Sequence, residues 1–488
     1  MSGPISLCMI ARNEEANLTH CLEPMKALID EIILVDTGSS DRTKEVATRL
    51  GAHVFDFPWI DDFSAARNVS LRHASCPWIF WLDADDRVDE KNRQRLQMLF
   101  GTLRDDNAAY LMKCQGMANA TTGSASITDH VRMFRNHAEV RWQHRVHEQI
   151  LPALCRLGAD VRSTDIVIHH TGYLDPAFRV RKAERNLRLL ERAAAETPDD
   201  THALFYLGQT HLMLGAPQRA LPFLRECRKH ADPLNPLTSR LYVLLTQALH
   251  QAGELPEALS ICQAGGRYFP DNPDLLFLEG VIRQKTGDAA GAETCLQRLL
   301  AAPAESRSVS MDTTMYFKAR HRLALDYLRQ GRHEEAEGQW RTILADNPRF
   351  VQAWLGLTDV YLARGRPEVW EPFLQSVVAV PQNGLNFALV KARLKEAQGD
   401  VPAARMHLEE ACSHHGQSLW PHIALARLLL TEGRDWAAAE QALLAVLALD
   451  PNHGEALRNL GLLRQRLGTA AEQMPPASAG GSTVVGGW

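Results

Sequence analysis

An α/β domain with a mostly parallel sheet, followed by an all-α superhelix of short repeats, is the fold class that three features of the 488-residue chain predict. Apolar runs of strand length alternate with helical patterns over the first 175 residues. Beyond them, Gly recurs with a gap of 34 that repeats. The chain is 45% hydrophobic and 23% charged, ordinary globular material long enough for two or three cores.

The elements follow in order. Ile5 to Ile10 is a short apolar strand, and Asn17 to Leu28 carries a helical pattern. Glu31 to Asp36 is a second strand; it closes in Thr37-Gly-Ser-Ser-Asp41, whose Ser and Asp suit the cap of a helix that runs to Leu50 and stops at Gly51. His53 to Phe57 gives a third strand, Ser64 to Ala74 a helix, and Trp78 to Asp83 a fourth strand. Sheets of this kind are covered on both faces and bind ligands beyond the carboxyl ends of their strands. Asp36 and the Asp83-Ala84-Asp85 group therefore converge on one crevice. Clustered carboxylates are costly unless a cation joins them, and Mg²⁺ or Mn²⁺ takes oxygen from one or two carboxylates plus substrate phosphates. The expected ligand is a diphosphate, with a metal on Asp85 neutralising the departing group and Asp83 orienting ribose or the metal's waters. A D-x-D alone is weak, because paired Asp residues in turns commonly cap or face solvent.

The repeat is set by Gly215, Gly253, Gly287, Gly331, Gly365, Gly399, Gly433 and Gly468, with 34 as the recurrent gap. Five residues after most of them comes Ala220, Ala258, Ala292, Ala336, Ala404 or Ala438, small enough for two helices to approach closely, while Trp370 breaks the rule. Trp354, Leu357 and Tyr361 share a helix face, and Pro270, Pro348 and Pro451 close other units. These residues resemble the tetratricopeptide repeat, a helix-turn-helix unit of 34 residues. Longer gaps imply longer connections near 230–240 and 303–313. The resemblance implies a concave groove for a peptide or protein segment; capping of the first domain and self-association are the plainer roles. Thr469 to Trp488, rich in Gly, Pro and Ser, reads as a disordered tail. The expected division is 1–175 for the α/β domain, 176–198 for a helical junction, 199–468 for the repeats and 469–488 for the tail.

A formal net charge of -5 gives no general attraction to nucleic acid. Nine Cys without a CxxC suggest neither a disulfide framework nor a zinc ribbon, so a reducing cytoplasm fits best. The first apolar run is cut by Arg12-Asn-Glu-Glu15, which leaves no secretion signal, and no segment approaches the roughly 18 apolar residues of a membrane span.

Four blocks carry a more specific resemblance: Ser6-Leu-Cys-Met-Ile-Ala-Arg-Asn-Glu-Glu15, Ile33-Leu-Val-Asp-Thr-Gly-Ser-Ser-Asp-Arg-Thr43, Phe57-Pro-Trp-Ile-Asp-Asp-Phe-Ser-Ala-Ala-Arg-Asn68 and Trp78-Ile-Phe-Trp-Leu-Asp-Ala-Asp-Asp86. Together with Val146-His-Glu148, His170-Thr-Gly-Tyr173 and Arg185-Asn-Leu187, they are similar to bacterial family 2 glycosyltransferases of the Rossmann-like GT-A fold that carry C-terminal tetratricopeptide repeats. The resemblance implies a metal-dependent, inverting transfer from a nucleotide-diphosphate sugar, a UDP-sugar foremost, to an acceptor that the repeats suggest is a polypeptide. It implies that Asp36 bonds the base, that Ala11 and Asn13 line the same pocket, that Arg67 faces nucleotide and acids, that Asp83 meets ribose or metal, and that Asp85 binds metal and diphosphate. Plainer roles stand beside these: Asp36 as a strand-end cap, Arg67 as a solvated cation, Asp86 and Asp89 as helix-start carboxylates.

Inversion calls for a general base on the acceptor side. Glu148 is the candidate, with a surface ion pair as its plainer role, and His147 competes because an imidazole titrates near neutrality. His170 could complete the metal shell or contact the diphosphate, with burial at the domain junction as its plainer role. The helix from Phe178 to Ala195 carries Arg179, Arg181, Lys182, Arg185, Arg188 and Arg192, either a basic stripe for anionic ligands or a solvated face. The alternative function is a repeat scaffold whose first domain is inert or merely docks a nucleotide. A nucleotidyltransferase would need a Gly-rich, Lys-bearing N-terminal loop, which this sequence lacks.

Overall fold

The computed structural model describes residues 3–104, 106–116, 127–171, 176–232, 236–301, 314–365, 369–381, 383–451 and 453–472. Of the expected tail, 469–488, residues 469–472 instead continue the helix Gly454–Glu472, while 473–488 and the long connection near 303–313 lie outside the described residues. The chain forms two compact units, Met1–Tyr316 and Phe317–Trp488.

In the first unit the strands are β1 (Ile5–Ala11), β2 (Glu31–Asp36), β3 (His53–Asp56), β4 (Trp78–Trp81), β5 (Asp86–Arg87), β6 (Ala108–Gly116), β7 (Ile127–Arg135) and β8 (Asp160–His170). They make one sheet in the order β3-β2-β1-β4-β7-β6-β8-β5. The first four strands are parallel, as their alternation with helices predicts; β7 then enters antiparallel beside β4. The helices α1 (Glu15–Leu22), α2 (Thr43–Arg49), α3 (Phe63–His73), α4 (Glu90–Gly101) and α5 (Leu151–Arg156) intervene. α1 is shorter than its pattern suggests because Pro24 falls in a tight 3₁₀ turn, Glu23–Met25, that ends it. Asp41 supports the start of α2 by accepting from Thr43 N at 3.0 Å.

Chain order positions the site. From β1 the chain steps outward to β2 and β3, then returns to β4 on the other side of β1. That reversal is the switch point where open α/β sheets leave a crevice. Ala11 pairs with Asp36 on one side of β1, and Cys8 pairs with Trp81 on the other, so Asp36 and the acids just past Trp81 emerge at the same end of the sheet.

The long helix α6 (Pro176–Glu196) leads into α7 (Thr201–Met213) and α8 (Pro217–Lys229), the first repeat pair. The segment before Glu148 is clasped to these helices. Arg145 pairs with Glu196 at 2.7 Å, His144 stacks on His202 at 3.6 Å, His147 stacks on Tyr206 at 4.0 Å, and a nitrogen of His202 lies 3.0 Å from the His147 carbonyl. Among the described residues, two further helix pairs follow in this unit, and the second unit holds four more and the helix Gly454–Glu472. Each pair turns at one of the periodic glycines, all with φ between 62° and 85° from Gly215 to Gly433, a region that favours Gly. Gly468 departs from the series and lies inside the last helix. Ala220, Ala258, Ala292, Ala336 and Ala404 are fully buried at helix contacts. In the last pair that place falls to Ala439, not Ala438, because Arg434 separates Gly433 from the capping Asp435.

Two predictions follow from this packing. An alanine Cβ at Gly356 would lie 2.2 Å from buried Trp340, whereas one at Gly338 meets nothing within 4 Å. G356A should lower the thermal midpoint of the full chain, with a cost of about 1–3 kcal/mol, while G338A should leave it unchanged or raise it. The clasp adds a pH dependence. His147 is pushed down to about 4 by burial and by the charges of Lys182 and Arg185, and His202 to about 3 by burial and His144. Both are neutral when folded and take up protons in the unfolded chain below roughly 6.5. Stability should therefore fall as pH drops from about 6.5 toward 4, by up to about 1.4 kcal/mol per unit for each group. Thermal unfolding across pH 7.5 to 5 should show the loss, and H202Q should reduce it.

Candidate functional site

The first half of the site is built by the loops after β1 and β2. Ala11 is buried, and its carbonyl accepts from Thr37 N at 2.9 Å and Thr37 Oγ1 at 3.2 Å. Asn13 has φ 57°, a left-handed conformation that Asn tolerates better than most residues. There its Oδ1 accepts from Ser40 N at 2.8 Å and its own N donates to Ser39 Oγ at 2.9 Å. Asp36 is 1% exposed; its Oδ1 accepts from Gly38 N at 3.0 Å and Ser39 N at 2.9 Å, while its buried Oδ2 has no hydrogen-bond partner among the described residues. One oxygen thus acts as the expected strand-end cap. The other is a buried acceptor that a ligand N–H would satisfy.

The second half of the site is organised by two guanidiniums on the Trp81 ring. Arg67, from α3, pairs with Asp83 Oδ1 at 2.7 Å and Glu148 Oε1 at 2.6 Å, and lies 4.4 Å from the centre of the Trp81 ring and 5.1 Å from that of Trp142. It is buried, so a solvated-cation role does not fit it. Arg132, from β7, sits 3.8 Å from the Trp81 ring centre and pairs with Asp86 Oδ2 at 2.7 Å. Trp81 is fixed by its own Nε1–H, which donates to the Val131 carbonyl at 2.7 Å.

Asp86 is fully buried and not at a helix start; Asp89 is, capping α4 through Asn92 N at 2.8 Å. The second oxygen of Asp86 lies 3.0 Å from His170 Nδ1, and His170 Nε2 lies 3.4 Å from Asp85 Oδ2. Potential ligand atoms of Asp83, Asp85, Asp86 and His170 fall within 4.8 Å of one another. Their charges are unequal. Burial opposes ionisation of Asp83, but Arg67 and Arg132 hold its carboxyl well below the usual carboxylate range. Burial pushes Asp85 up, and Asp83 and Asp86 add to this against the opposing effect of His170. Glu14, on the loop after β1, is also pushed up by burial and by the charges of Asp85, Asp83 and Asp41. His170 resists burial and is raised by its bond to Asp86 and by the neighbouring acids. Oxygen and imidazole donors with surplus negative charge at Asp85 suit a hard divalent cation.

Glu148 reaches the acids through Arg67, 81 residues away in sequence. Asn68 holds the loop leading to it, bonding Trp142 N at 2.8 Å and the Trp142 carbonyl at 2.9 Å. His147 instead packs on Tyr206, and its depressed basicity makes it a poor proton acceptor near neutral pH. In the basic stripe, half-buried Lys182 and Arg185 act on His147, and Lys182 also on Asp85, whereas Arg181, Arg188 and Arg192 are exposed; the side chain of Arg179 is outside the described residues. A second group of possible ligands, His144, Asp200 and His202, belongs to the clasp. Its two rings are stacked 6° from parallel, so their in-plane lone pairs do not converge on a point. Sequence alone left out Glu14, Trp81, Trp142 and Arg132; the last had a signal, an Arg inside the apolar run of β7.

Comparison with known proteins finds matches in both the sheet domain and the helical region. Residues 6–150 match glycosyl transferase family 2, and residues 177–236 and 321–381 match a tetratricopeptide repeat. A TPR repeat-containing protein of Synechococcus elongatus is 32% identical over 275 residues, covering 53% of this chain and 65% of that protein. The SPbeta prophage-derived glycosyltransferase SunS of Bacillus subtilis is 26% identical over 233 residues, covering 46% of this chain and 52% of that protein. An uncharacterized glycosyltransferase of Rickettsia typhi is 30% identical over 112 residues, covering 22% of this chain and 37% of that protein. The chain thus spans about one to two thirds of the length of these relatives. By sequence match, residues 6–150 form a glycosyl transferase family 2 domain, and tetratricopeptide repeats follow it.

Proposed function

We propose that this chain is a metal-dependent, inverting glycosyltransferase that moves a sugar from a nucleotide diphosphate, a UDP-sugar in the first instance, to a polypeptide acceptor engaged by the repeats. The observation that carries the proposal is the cluster of Asp83, Asp85, Asp86 and His170 at the sheet end that also bears Asp36. On this reading residues 1–175 are the catalytic domain, 176–198 the junction and 199–468 the acceptor-binding array. All nine cysteines are unpaired and no described helix is long and apolar enough to cross a membrane, features that accord with a cytoplasmic setting.

Asp36 Oδ2 accepts from the base, beside Ala11 and Asn13. Asp85 and His170 hold Mn²⁺ or Mg²⁺, with Asp83 toward ribose; the bound ion supplies neutralisation of the charge that builds on the departing diphosphate. Arg67 orients Glu148 and Asp83 together. The acceptor attacks the anomeric carbon from the face opposite the diphosphate, the bond from that carbon to the diphosphate oxygen breaks, and Glu148 takes the acceptor's proton. His147 is left to the clasp.

Purified chain with Mn²⁺ and a panel of UDP-sugars should transfer sugar to co-purifying polypeptides or slowly hydrolyse one donor, with the product read by mass. D85A should be inactive, and unaltered activity in it would reject the metal role. E148Q should lower kcat by about 10²–10⁴ while donor affinity holds. A chain that binds nucleotide but neither transfers nor hydrolyses would instead be a repeat scaffold.

A further inference from the structure

We infer that Arg132 is a positioning residue for the metal ligands, acting through Asp86; the inference rests on the metal-dependent reading above. Arg132 lies in the middle of β7 with 2% of its surface exposed, and it meets a carboxylate 46 residues away in sequence. That carboxylate does two jobs at once. Its Oδ2 accepts from the backbone N of Asp83 at 2.9 Å, which fixes the turn carrying Asp83 and Asp85. Its Oδ1 lies against His170 Nδ1, which turns the Nε2 edge of the ring toward Asp85. A carboxylate behind a histidine sets the orientation in which that ring can meet a metal.

Asp86 is completely buried, and a charge in that position is sustained only by a well-placed counter-charge. Arg132 provides it from beneath the loop. Its planar guanidinium packs on Trp81, the last residue of β4, and also reaches the Trp81 carbonyl at 3.4 Å. The strand that delivers the acids and the side chain that braces them are thus locked to the same indole. Because β7 lies beside β4 in the sheet, the brace is supplied by the second half of the domain to ligands of the first.

The test uses the full chain and Mn²⁺ as the probe, with free Mn²⁺ followed by electron paramagnetic resonance. Thermal unfolding is measured in parallel. The R132M/D86N protein removes both charges and avoids an unpaired buried carboxylate. Its thermal midpoint should stay near that of the unaltered chain, while its Mn²⁺ affinity falls by about 10- to 100-fold. R132K should recover part of that loss, since an ammonium keeps the charge without the planar fork. Unchanged Mn²⁺ affinity in R132M/D86N would overturn the inference and leave the proposed function standing. If that variant does not fold, R132K decides, and Mn²⁺ affinity equal to that of the unaltered chain refutes the role. Failure of the unaltered chain to take up Mn²⁺ would instead defeat the metal-dependent reading, and this inference with it.

Discussion

Two arginines on one tryptophan ring hold the acidic end of the sheet together. Asp83, Asp85 and Asp86 leave β4 within four residues, and three carboxylates that close would repel one another if each kept its charge without help. Arg67 takes Asp83, Arg132 takes Asp86, and both guanidiniums pack on Trp81. Asp85 is left as the acid whose charge the protein compensates least, its ionisation opposed by burial and by its neighbours. The chemistry assigned to this site depends on that unequal sharing: two acids are satisfied internally so that the third is available to a cation.

The same pattern joins distant parts of the sequence. Arg67 connects the acids to Glu148, and the loop bearing Glu148 is pinned at one end by Asn68 and clasped on the other to α6 and α7 through Arg145, His144 and His147. A face of the first repeat pair therefore helps to set where Glu148 sits. His147, which sequence placed as a competing base, is better explained as part of that clasp: its ring lies flat on Tyr206 and its basicity is depressed.

Much of this was legible in the sequence, and the residues show why. The strand Glu31–Asp36 is correct to the residue because a continuous apolar run ends in a Gly-Ser turn. The repeat glycines from 215 to 433 are equally legible, since each occupies a backbone conformation that other residues resist. Patterning failed where long-range contact decides. Asp86 reads locally as a helix-start carboxylate, but it is fully buried and paired with Arg132, on a strand that the first-half pattern does not announce. The shift from Ala438 to Ala439 has a smaller cause of the same kind, one inserted residue before a helix cap.

The central claim is that a divalent ion and a nucleoside diphosphate share this crevice. Calorimetric titration of the full chain with UDP, with and without Mn²⁺, and with Mn²⁺, with and without UDP, tests it most directly. Each ligand should tighten the other by the same factor, as linkage requires of two ligands in contact. Nucleotide affinity indifferent to Mn²⁺, or no nucleotide binding in either condition, would contradict the account.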